Sequence, residues 1–151
     1  LEMARAGMYE IKRTLLDDLA SLGAGRGGMG EAWAKITDTL AEAEVSRAKR
    51  EQGANLSKAV ASRRAASQML MLLASACLDA VTLSIGLDRP LVHADQRNAI
   101  SAVAGRLSQQ QLAEVIEQLS QYEQLLWRNV SAKIVWENVA LTCESAAPLI
   151  L

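Results

Sequence analysis

The sequence predicts an all-α fold, a bundle of five to six helices around one long apolar helix. Three observations point to it. Apolar residues recur at spacings of three and four through most of the chain, and no stretch alternates apolar and polar residues for long enough to make a strand. Half of the residues are hydrophobic, drawn mainly from Ala, Leu, Val and Ile, with no phenylalanine and two prolines, a composition that favours packed helices over a sheet. At 151 residues the chain has the size of one domain, which buries roughly 70% of the surface its unfolded form exposes.

The elements follow in order. Residues 3 to 22 carry Met8, Ile11, Leu15, Leu16, Leu19 and Leu22 on one helical stripe. The glycine-rich stretch "GAGRGGMG", residues 23 to 30, favours no single conformation and is expected to be an internal linker. Helical periodicity resumes from Glu31 to Gln52 through Trp33, Ile36, Leu40 and Val45, and Gly53 and Asn55 interrupt it. The longest pattern, Leu56 to Ile85, contains "MLMLLASACLDAVTLSI", apolar all the way round, so it belongs at the bundle centre. After Gly86 and Pro90, Asp95 is expected to cap a short helix that runs to about Gly105. Ser108 and Gln111 have the spacing of a capping box, ahead of a stripe of Leu112, Val115, Ile116, Leu119, Tyr122 and Leu126. Asn129 is expected to end that helix in a left-handed conformation, and Ser131 to cap the last one.

Few motifs survive their context. Gly23, Gly25 and Gly28 satisfy G-x-G-x-x-G, but helical rather than strand periodicity surrounds them, so the crossover unit that holds a dinucleotide is missing. No P-loop sequence occurs. His93 is the single histidine and the cysteines are Cys77 and Cys143, too few and too far apart for a metal site or a triad; His93 is read as a loop or cap residue, and Ser84, Ser101 and Ser108 have no evident base. No catalytic, cofactor or metal residues are expected. The run from Met69 to Leu87 nears membrane-spanning length, but Asp79 at its middle would cost roughly 2.5 to 3.5 kcal/mol on insertion, so a buried helix is expected. Net charge is −1, which gives no global attraction to nucleic acid or anionic lipid. The basic residues from Arg47 to Arg64 scatter around their helices and read as a solvated face, with nucleic-acid binding as the rival. Helical placement of both cysteines and the absence of a secretory signal pattern point to reduced thiols in the cytoplasm.

The last helix is more informative. Ala132, Val135, Trp136, Val139, Ala140 and Cys143 share one face, while Ile134 and Leu141 project from the opposite one. A closing helix with two apolar faces is either enclosed or offers its second face to a partner.

These segments in this order resemble the C-terminal helical domain of bacterial DNA polymerase III clamp-loader subunits, most closely delta-prime and more loosely gamma/tau. The resemblance lies in "CLDAV", "LVHADQRNAI" and "LSQQQLAEVIEQLSQYEQLLWRNVSAKIVWENVAL", the last with Asn129, Val130, Ser131, Lys133, Ile134, Glu137, Asn138 and Leu141 in the family's helix, break and closing helix. Leu78 and Asp79 stand where many delta-prime relatives carry Arg-Asp. The resemblance implies a non-catalytic collar domain, a C-terminal fragment of a longer polypeptide, that assembles with the other clamp-loader subunits and meets DNA only through other domains or subunits. Ile134, Asn138 and Leu141 are the expected subunit interface. Trp127, Asn129, Ser131 and Trp136 are the expected helix joint and core anchors. An unrelated helical adaptor is the other reading.

Overall fold

The computed structural model describes residues 2–21 and 28–146. Among them six α-helices form, α1 Glu2–Ala20, α2 Met29–Gln52, α3 Lys58–Ser84, α4 Arg97–Arg106, α5 Gln109–Leu126 and α6 Ala132–Ala146, with a 3₁₀ turn at Ala94–Gln96 and no strand. Helix α3 is the hub and packs against α2, α4 and α5; α6 lies over α2 and α5, and α1 over α4.

Each boundary has a local cause. The Ser57 side chain accepts the Val60 N–H and starts α3. At its other end Gly86, at φ 68°, takes the left-handed conformation that closes a helix at no steric cost, and its N–H bonds the Leu83 carbonyl at 3.2 Å. Helix α5 begins on the full capping box: Ser108 Oγ accepts from Gln111 N at 3.1 Å while Gln111 Oε1 accepts from Ser108 N at 2.8 Å. Replacing Ser108 with Ala leaves the Gln111 N–H at the helix start short of a partner and is expected to cost about 1 kcal/mol, measured as a shift of the urea midpoint at unchanged m-value.

Three sequence expectations are corrected here. The linker expected over residues 23–30 ends earlier: residues 22–27 lie outside the described residues, Gly28 is the N-cap of α2, and Met29 and Gly30 are already helical. The cause is tertiary. Gly30 is buried where α2 meets α6, and a Cβ there would come to 2.9 Å from the Trp136 carbonyl oxygen and 3.2 Å from Glu137 Cα, so glycine lets the two helices touch backbone to backbone. Asp95 does not cap α4; it lies inside the 3₁₀ turn, and its carboxylate takes the Lys12 ammonium at 2.8 Å, a partner no local pattern announces. Helix α3 is central but not enclosed all round, because Met71 and Leu78 face solvent.

The core runs through Leu15, Leu16 and Leu19 of α1, Trp33 of α2, Met69, Leu70 and Leu73 of α3, Ile100, Leu112, Leu119 and Trp136. Asp79 is buried within it, and its two oxygens accept the backbone N–H groups of Val92 at 3.0 Å and His93 at 2.8 Å. That double acceptance lets a carboxylate stay in an apolar helix.

Candidate assembly surface

The joint between α5 and α6 sets how the closing helix is presented. Asn129 stands at φ 64°, and the N–H groups of Arg128 and Val130 both return to the Leu125 carbonyl, at 3.0 and 3.2 Å, which closes α5 and reverses the chain. Ser131 Oγ then accepts the Ile134 N–H at 3.3 Å, one of the orphan donors of the new helix.

The inner face of α6 is locked. Trp136 is fully buried and meets Trp33 edge to face, with ring centroids 5.6 Å apart at 79°. Its indole N–H donates to Thr37 Oγ1 at 2.7 Å, Thr37 donates onward to the Trp33 carbonyl at 2.9 Å, and the Trp33 indole donates to Asp18 at 2.9 Å. One chain of hydrogen bonds thus ties α6 to α2 and α2 to α1. Val135, Val139, Ala140 and Cys143 complete the packed face. Burial pushes the Cys77 thiol up to about 12 and raises Cys143 as well, so both are inert apolar fillers at neutral pH.

The outer face of α6 carries Ile134, 51% exposed, and Leu141, 61% exposed. Seven residues separate them, so they lie in one row about 10 Å long. Asn138 is exposed on one flank of the row and donates its amide to the Ile134 carbonyl of its own helix at 2.8 Å, while the exposed Glu137 lies on the other flank. Trp127 is placed differently from the expectation that paired it with Trp136 as a core anchor. It is the C-cap of α5 and is 55% exposed, because Leu126 takes the inward position and the next residue turns away by about 100°.

A second apolar edge is not apparent from the sequence. Met71, Leu78 and Ile85 of α3 and its end, spaced by seven, are exposed, and Leu87 and Val92 are exposed in the following loop. The all-round apolar pattern of α3 hides this edge, since a helix covered on every side and one covered on all but one side look alike in sequence. Half of the most apolar window of α3 is buried in the bundle.

The basic stretch does not form a continuous phosphate-facing row. Arg64 pairs with Glu44 at 3.3 Å and Lys58 with Glu42 at 3.4 Å, while Lys49 and Arg50 sit in the last turn of α2, where they offset its negative end. His93 is a loop residue, as its position suggested, but it is only 3% exposed and its Nε2 lies 2.7 Å from Ser75 Oγ. Among the described residues no group of three His, Cys, Asp or Glu is arranged to hold a metal ion.

With this geometry in place, a protein-family model described as the C-terminal part of the DNA polymerase III delta subunit matches residues 31–145. It spans α2 to nearly the end of α6. No curated protein matches the chain, and no solved structure matches it.

Proposed function

Because the chain belongs to the family of C-terminal domains of the DNA polymerase III delta subunit, clamp-loader parts that act in DNA replication, we propose that it is a collar domain: it ties one clamp-loader protein to its neighbours and performs no chemistry itself. The observation that carries the reading is the exposed row of Ile134 and Leu141 on a helix whose other face is fully packed. Apolar side chains in a row on a rigid helix gain free energy when they are covered by a neighbouring protein. An obligate interface of this kind buries on the order of 2,000 Å² or more, so Ile134, Asn138 and Leu141 form its centre and other surfaces its rim. The partners are the other loader subunits in the cytoplasm, and DNA is met through other domains or subunits. On the residues from Asn129 to Leu141, and on the two segments before them, we assign the chain a delta-prime-like position in the loader.

Reconstitution tests both levels. The 151-residue chain is expected to co-elute with the remaining loader subunits without ATP, and to take the place left when delta-prime is omitted but not that left when delta is omitted. Filling the delta place instead overturns the finer assignment; failing to join any loader subunit overturns the collar role. Replacing Ile134 and Leu141 together with Asp is expected to weaken association by a hundredfold or more, about 2 to 3 kcal/mol of lost burial before the cost of the charges, with helix content by circular dichroism unchanged because neither side chain belongs to the core.

A further inference from the structure

We infer that residues 86–96, between α3 and α4, form a proton-operated latch: neutral His93 docks this segment on α3, and protonation of His93 releases it. The hydrogen-bond arrangement specifies where the proton must go. The Ser75 hydroxyl donates its one proton to the Leu72 carbonyl at 2.9 Å. Ser75 Oγ is therefore an acceptor toward the ring, and the His93 Nε2 that lies 2.7 Å from it carries the imidazole hydrogen of the neutral form. Nδ1 is then the bare nitrogen. Among the described residues it is the one buried side-chain nitrogen or oxygen atom with no hydrogen-bond partner.

An incoming proton thus lands on Nδ1, where no acceptor waits for it, in a residue 3% exposed. The charged groups that act on the ring are Lys12 from α1, Asp79 from α3 and Asp95 from the 3₁₀ turn. Neither acid hydrogen-bonds Nδ1, so a new cation there has no direct partner. Both Asp79 oxygens already accept the Val92 and His93 N–H groups, and Asp95 is paired with Lys12. Burial, followed by the Lys12 charge, holds the His93 pKa below its ordinary 6.5, against a smaller pull from the two acids. The sign follows: the released segment binds a proton below about 6.5 while the docked one does not, so docking is fully favoured above that value and weakens as pH falls, until the docked His93 also protonates. The same residue whose ring is displaced supplies a backbone N–H to Asp79, so the loss of the ring contact also undoes the clamp at Val92 and His93. The exposed Leu87 and Val92 travel with the segment, and so does Leu91, a buried member of the core.

The test is amide hydrogen exchange on the 151-residue chain from pH 7.5 to 5, corrected for the intrinsic rate. Exchange at Val92 and His93 is expected to rise as pH falls through 6.5, by at most about tenfold per pH unit, and to level off where the docked His93 itself protonates, while the amides of α5 keep their protection. His93→Gln keeps a donor for Ser75 Oγ but takes up no proton, so its exchange at Val92 is expected to stay flat. Flat exchange in the unsubstituted chain overturns the latch, and so does an equal rise in the Gln variant, which would move the proton to another group. Where the variant does not fold, the imidazole resonances of the unsubstituted chain decide: a midpoint at or above 6.5 for His93 overturns the proposal, and a lower one that tracks the Val92 amide supports it.

Discussion

Truncation of Trp136 to Ala is expected to remove about 3 to 5 kcal/mol of stability, a large share of the roughly 5 to 15 kcal/mol that holds a typical domain together. Two losses combine. The fully buried indole leaves a void against Trp33, and atoms around it lose contacts that a rigid core does not restore. Thr37 Oγ1 also loses the donor that reached it at 2.7 Å. Trp136→Phe separates the two, since it keeps most of the ring but withdraws the N–H, and about 1 to 3 kcal/mol is expected. Trp127→Ala, at an exposed position, is expected to stay within about 0.5 kcal/mol. Urea unfolding followed by circular dichroism reads all three. Similar costs at Trp127 and Trp136 would mean that the joint, and not the buried pair, anchors α6.

The second large effect is expected at Gly30, where the same change that helps elsewhere should harm. Gly105, inside α4, has nothing within 4 Å of where a Cβ would stand, so Gly105→Ala is expected to stabilise by up to about 1 kcal/mol through helix propensity. At Gly30 the new methyl would meet the Trp136 carbonyl oxygen at 2.9 Å and Glu137 Cα at 3.2 Å. Both are backbone atoms of α6 and cannot swing aside as a flexible side chain would. The helices must separate, at about 1 to 3 kcal/mol for Ala, only partly offset by propensity so near the helix start; Val is expected to cost more than Ala. A thermal-melt comparison of the two alanine variants gives opposite signs on this account, and equal stabilisation would show that α2 and α6 yield freely.

Much of this architecture is legible in the sequence because its causes are local. The capping box needs only Ser108 and Gln111 three residues apart, the joint needs Asn129 and Ser131, and the inner face of α6 follows from spacing. What stays hidden depends on residues far apart in the chain. Gly30 reads as linker because glycine weakens a helix in isolation, and only the approach of Trp136 and Glu137, more than a hundred positions away, gives it a reason to be helical. Asp95 reads as a cap because nothing local places Lys12 beside it. Trp127 reads as an anchor because a large apolar ring is ordinarily buried, yet its register puts it one position past the stripe. The outward face of α6 is visible as a pattern, whereas the α3 edge is not, since periodicity vanishes when every position is apolar.

Neighbouring loader subunits are expected to cover the outer face of α6. Hydroxyl-radical footprinting of Ile134 and Leu141, in the free chain and in the reconstituted loader, addresses it most directly. Both side chains are half or more exposed in the chain alone and are expected to oxidise readily there, then to become strongly protected on assembly, well beyond the change at an exposed residue outside both apolar surfaces, such as Tyr9 of α1. Equal oxidation in the free chain and in a fully assembled loader would contradict the claim.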